Sequence, residues 1–120
     1  MASILVADDQ LVMRNMFKNI LCMDGYDVDL VDDGKQAFLA ATKKRYDLIL
    51  TDLYMPECNG IELTRRLRKL STYKGVPILV VSTESAVGKI EEGKKAGATG
   101  WVVKPVNDEK LLPILRKLLS

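Results

Sequence analysis

The sequence predicts an α/β domain in which five parallel strands form one doubly wound sheet with helices on both faces, a (βα)5 arrangement. Three observations carry that prediction. Short β-branched or leucine-rich runs alternate along the 120 residues with longer segments of helical period. The first, third and fourth runs are continuously apolar, as strands covered on both faces must be. The connections are short, so each strand returns parallel to the last through a right-handed helical crossover.

Ser3-Ile4-Leu5-Val6-Ala7 forms the first strand. Met13, Met16, Phe17, Ile20 and Leu21 follow at three- and four-residue intervals, one apolar stripe on a first helix ending near Gly25. Asp9 is positioned to cap that helix, read as beginning at Gln10. The second run, Tyr26 through Val31, alternates polar and apolar residues and so belongs at an edge. A second helix over residues 35–44 turns Ala37, Ala40 and Ala41 inward. Leu48-Ile49-Leu50-Thr51 is the third strand, and Leu63, Leu67 and Leu70 mark a third helix. Pro77 through Val81 is the fourth strand. The fourth helix, residues 85–96, holds Gly88, Gly93 and little apolar surface, which makes it the least stable. Gly100-Trp101-Val102-Val103 completes the sheet. Behind an Asn107-Asp108 cap, Leu111, Leu112, Leu115, Leu118 and Leu119 form a last helix that Pro113 should delay or kink.

Residues 1–120 read as one domain, with 48% hydrophobic residues enough for a core and no second, attached output domain expected. A 28% charged fraction of both signs and a net charge of +2 give no bias toward nucleic acid or an anionic membrane. The basic clusters Lys43-Lys44-Arg45 and Arg65-Arg66-Leu67-Arg68-Lys69 lack interleaved aromatics and read as solvated outer helix faces, so no nucleic-acid partner is expected. No signal-peptide pattern or membrane-spanning run is present, and Cys22 and Cys58 read as small apolar fillers in a reducing cytoplasm. With no histidine in the chain, serine-histidine, cysteine-histidine and its own phosphohistidine chemistry are excluded, and any metal should take oxygen ligands.

In a sheet of this kind ligands bind outside the carboxyl ends of the strands. Those ends offer Asp8 and Asp9 after the first strand, Asp52 after the third, Ser82 and Thr83 after the fourth, and Lys104 after the fifth. Any one aspartate there is a turn or cap residue by default. Three acids, a hydroxyl and a lysine at one rim are a site. The acids would repel one another without a cation among them, and an all-oxygen set suits Mg2+ with waters completing an octahedron.

These residues resemble the receiver domains of two-component response regulators, most closely those of the chemotaxis, or CheY, type. The resemblance spans the chain. It rests on Asp8-Asp9, the segment from Asp52 through Pro56 to Gly60, Ser82-Thr83-Glu84, and Gly93 through Trp101 to Lys104-Pro105. It implies a flavodoxin-like fold with strand order 2-1-3-4-5, the order of flavodoxin and of the chemotaxis regulator itself. It further implies that Asp52 is the phosphoacceptor, that Asp8, Asp9, Asp52 and the backbone carbonyl of Tyr54 hold Mg2+, and that Ser82 and Lys104 hold phosphoryl oxygens. Ser82 and Trp101 would form the switch, with the fourth helix, fifth strand and fifth helix as output surface. The implied partners are a sensor histidine kinase, the flagellar motor switch protein and a phosphatase, engaged by a monomer that catalyses only its own phosphorylation and dephosphorylation. A relay or phosphate-sink receiver in another two-component pathway is the alternative.

Thr83 and Tyr54 depart from the commoner small residues of receivers and bear on access to the phosphoryl group. Two other classes fit less well. Haloacid-dehalogenase phosphatases need a second aspartate two residues beyond the nucleophile, where this chain has Tyr54. A flavin mononucleotide binder needs a glycine- and hydroxyl-rich phosphate loop where this chain has Asp8-Asp9-Gln10.

Overall fold

The computed structural model describes residues 1–120. Strands β1 (Ser3–Ala7), β2 (Asp27–Val31), β3 (Leu48–Thr51), β4 (Ile78–Ser82) and β5 (Gly100–Val103) form one sheet, all pairs parallel, in the order β2-β1-β3-β4-β5. Helices α1 (Leu11–Met23), α2 (Gly34–Lys43), α3 (Gly60–Arg68), α4 (Val87–Ala96) and α5 (Asp108–Leu119) alternate with them, and a short 3-10 turn, Ser71–Tyr73, precedes β4. The predicted fold and order are those observed.

Alternation on the strands divides the core in two. Ile4, Val6, Leu48, Leu50, Leu79 and Val81 face Phe17 and Leu21 of α1 and Leu111 and Leu115 of α5. Leu5, Ala7, Ile49 and Ile78 face Ala37 and Ala41 of α2 and Leu63 and Leu67 of α3. A third cluster of Leu53, Ile61, Val80 and Ala96 lies under α4, with Trp101 against it. All residues of β3 and β4 are buried, whereas Asp27 and Asp29 of β2 stand exposed at its edge.

Four expectations are corrected. The first helix starts at Leu11 with Gln10 as cap residue and no side-chain cap bond, so Asp9 does not cap it; Asp8 takes the turn instead. Pro113 does not delay α5, which begins at Asp108 under an Asn107 side chain that accepts the Lys110 N–H. Pro113 is exposed in the second turn, where it forgoes one hydrogen bond while Leu111 and Leu115 anchor the helix. Cys58 is a buried filler but Cys22 is exposed on α1. Arg68 is no solvated charge. Its guanidinium donates to the carbonyls of Tyr73, Val76 and Gly97 and to Thr99 Oγ1, joining the end of α3 to the loops that lead into β4 and β5.

Candidate functional site

The site is assembled from the carboxyl ends of β1, β3, β4 and β5. Asp8 is only 1% exposed; its Oδ1 accepts the Gln10 N–H at 2.9 Å, an Asx turn that fixes the carboxylate, and its carbonyl accepts Arg14 Nη1 at 2.8 Å. Asp9 stands beside it, exposed on the rim. Asp52 is placed by its backbone, whose N–H donates to Ala7 O at 2.8 Å, and its Oδ1 accepts the Leu53 N–H at 2.7 Å. Behind it, α3 starts so close that a Cβ on Gly60 would overlap the Asp52 carbonyl, which excludes any side chain there.

Lys104 N donates to Ser82 O at 2.8 Å, holding the end of β5 to that of β4, and the Lys104–Pro105 peptide is cis. The Lys104 ammonium lies 3.0 Å from Asp8 Oδ2 and 3.3 Å from Asp52 Oδ2, with side chains only 10%, 2% and 11% exposed for Lys104, Asp8 and Asp52. Carboxylate oxygens of Asp8, Asp9 and Asp52 lie within 4.8 Å of one another. Burial, the largest influence, pushes the Asp52 carboxyl above the ordinary carboxylate range; Lys104 and the Leu53 N–H pull it back, and the neighbouring Asp8 pushes it further up. One lysine against three acids leaves the pocket short of positive charge, and the crowded donor set is all oxygen. It fits a hard divalent cation such as Mg2+.

Ser82 is fully buried, and its Oγ accepts the Glu84 N–H at 3.2 Å. Trp101 Nε1 donates to Glu84 O at 2.9 Å. The indole lies under α4 where a Cβ on Gly93 would come within 2.7 Å of it, so this glycine makes room for the ring. Tyr54 is 52% exposed, and its hydroxyl donates to Glu84 Oε1 at 2.6 Å. That bond holds the Glu84 carboxyl below its usual range and raises the Tyr54 phenol. Thr83 is exposed.

The structure thus brings Asp8, Asp9, Asp52 and Lys104 into one cleft with Ser82 on the neighbouring strand end, and links Ser82 to Trp101 by two hydrogen bonds through Glu84. The reading by strand ends missed Glu84 and Arg14. Glu84 stands two residues beyond a strand, outside the positions a strand-end search inspects, and its signal was its place directly after Ser82-Thr83. Arg14 reaches Asp8 from the second turn of a helix, where sequence alone shows only an exposed base.

The response regulator receiver domain family matches residues 4–116. Among solved structures, the chemotaxis response regulator CheY4 of Vibrio cholerae superimposes with a TM-score of 0.94 at 43% identity, covering 99% of each chain. The receiver domain of the sensor histidine kinase PA1611 of Pseudomonas aeruginosa, with a magnesium ion coordinated in its active-site cleft, superimposes with a TM-score of 0.91 at 32% identity, covering 98% of this chain and 97% of that one. Response regulator MprA of Mycolicibacterium vanbaalenii is 37% identical over 116 residues, 97% of this chain and 49% of the relative. The chain spans about half the length of the curated relatives it matches.

Proposed function

The chain belongs to the response regulator receiver domain family, and from that premise we propose that Asp52 accepts a phosphoryl group from the phosphohistidine of a sensor histidine kinase. The carrying observation is Lys104 Nζ poised 3.0 Å from Asp8 and 3.3 Å from Asp52. A carboxylate approaching phosphorus is repelled by the phosphoryl oxygens unless positive charge is already in place. Asp8, Asp9, Asp52 and the carbonyl of Tyr54 would hold Mg2+, whose bound charge supplies part of that neutralisation. Lys104 supplies the rest from within the chain. The Leu53 N–H and Lys104 each hold one oxygen of Asp52, so the nucleophile arrives oriented, and its burial keeps it more basic than an exposed carboxylate. As the P–N bond breaks, the bonding pair leaves with the imidazole nitrogen and the Asp52 oxygen takes the phosphoryl group; Ser82 Oγ, which accepts the Glu84 N–H, keeps its own hydrogen to donate to a phosphoryl oxygen.

Output is by protein contact through α4, β5 and α5, and the likeness to a chemotaxis regulator over nearly all of both chains favours the flagellar motor switch as target. The kinase-borne receiver at 32% identity favours a second reading, a relay or phosphate-sink receiver. No helix is long and apolar enough to cross a membrane.

Fluorescence of Trp101, the sole tryptophan, tests the chemistry. Magnesium should change the emission and beryllofluoride should add a second step that Asp52→Asn loses. Calorimetry showing no magnesium binding, or rapid turnover of small phosphate esters, would overturn the reading.

A further inference from the structure

The two acids that follow β1 are held very differently. Asp8 is fixed on every side: its N–H donates to Val31 O at 3.1 Å, its Oδ1 accepts the Gln10 N–H, its Oδ2 lies against Lys104, and its carbonyl accepts Arg14 Nη1 at 2.8 Å. Asp9 is exposed and makes no hydrogen bond of its own, yet its carboxylate belongs to the cluster with Asp8 and Asp52. What directs it is the planar peptide that joins it to Asp8. The Asp8 carbonyl and the Asp9 N–H share that plane, so a bond that fixes the carbonyl fixes the direction in which Asp9 leaves it. Arg14 makes that bond from α1, where its own N–H donates to Gln10 O at 3.0 Å. Asp32 and Gln36 line the notch beside the guanidinium, but the Asp8 carbonyl is the one group it bonds.

We propose that Arg14 is a positioning residue for the cation site: by holding the Asp8 carbonyl it sets the Asp8–Asp9 peptide plane and delivers the Asp9 carboxylate to the cation. Charge alone argues the other way. A guanidinium this close to the acids repels a divalent cation, so electrostatics by itself would have binding tighten when Arg14 is removed. Positioning predicts the reverse, because a ligand left to find its own direction loses orientational freedom when the cation binds. Asp9 depends most on this support, since nothing else holds it, whereas Asp8 keeps its Asx turn and its contact with Lys104 when Arg14 is gone. The role is confined to the metal step, and no bond to phosphorus is made or broken through Arg14.

This inference rests on the reading of Asp8, Asp9 and Asp52 as a Mg2+ site, and the experiment separates the two. Magnesium binding to the full chain is measured by calorimetry, with thermal unfolding of the metal-free protein recorded alongside. Arg14→Met should weaken binding about tenfold, the size of loss usual when the partner that orients a metal ligand is removed. Arg14→Gln, a good helix former too short to reach the carbonyl, should weaken it as much, and it carries the test if the methionine variant does not fold. Arg14→Lys keeps the charge and a donor and should recover most of the affinity. In an Asp9→Asn background Arg14→Met should have little further effect, the non-additivity expected when one residue acts through the other. Unchanged or tighter binding in Arg14→Met and Arg14→Gln, even with a lowered unfolding midpoint, overturns the positioning role and leaves a structural one. An equal loss with and without the Asp9 carboxylate overturns the route through Asp9. A native chain that binds no magnesium removes the metal site, and this inference with it.

Discussion

Helices α3 and α4 are neighbours of nine and ten residues, and they are held in opposite ways. Helix α3 opens under an Asn59 side chain that accepts the Glu62 N–H, carries Glu62 paired with Arg65 and Arg66, and buries Gly60, Ile61, Leu63, Thr64 and Leu67. Helix α4 has no side-chain cap and no acid in its first turn, exposes Val87, and buries only Gly93 and Ala96. Its far end is firm: Gly97 closes it in the left-handed region at φ +112°, and the Gly97 carbonyl accepts Arg68 Nε at 2.9 Å. Its near end rests on Glu84. The fold concentrates stability in the helix behind the Asp52 loop and leaves the helix that follows Glu84 loosely attached at its first turn.

The largest expected effect lies at the core of α3. Leu67→Ala should cost about 3 kcal/mol in urea unfolding, and Ile90→Ala on half-buried α4 less than about 1 kcal/mol; equal losses would erase the contrast. Next comes the clasp between the two helices. Arg68→Met strands carbonyls of Tyr73, Val76 and Gly97 and should cost about 2 kcal/mol, with amide exchange rising first at residues 97–99. Gly93→Ala sharpens the contrast by sign. Helix propensity alone predicts a gain of about 1 kcal/mol, but the new methyl meets the Trp101 ring at 2.7 Å, so thermal unfolding should show a loss of about 1 kcal/mol and a shifted tryptophan emission.

The smallest effect concerns Asp52, just before α3. Its carboxyl titrates higher in the folded chain than in the unfolded one, so between those two values the folded state binds more protons and stability falls as pH rises. Asp52→Asn should remove that slope and, without metal at neutral pH, stabilise the protein by about 1 kcal/mol or less. A destabilised variant would mean that the Lys104 contact outweighs burial.

The cleft was legible because parallel strands deliver their last residues to one rim, so Asp8, Asp9, Asp52, Ser82 and Lys104 could be gathered from the ends of four runs without coordinates. The sheet was legible for the same reason. What escaped depends on contacts between loops, which leave no period in the sequence. Arg68 looked like its exposed neighbours Arg65 and Arg66, although it lies one turn beyond the buried Thr64, the one available sign that it faces inward. Gly93 looked like a flaw in a helix because the ring that needs the space comes from another element. Pro113 was overweighted because one missing bond is small beside two buried leucines.

The contact between Lys104 and Asp8 spans 96 residues, nearly the whole length of the chain. On a ribosome the acids of β1 and β3 emerge first, and the charge that reconciles them arrives only with the end of β5. A partly made chain can pair its early strands yet cannot hold its cleft together. The cleft is therefore closed by its most distant pair in sequence, and it is complete only once β5 has joined the sheet.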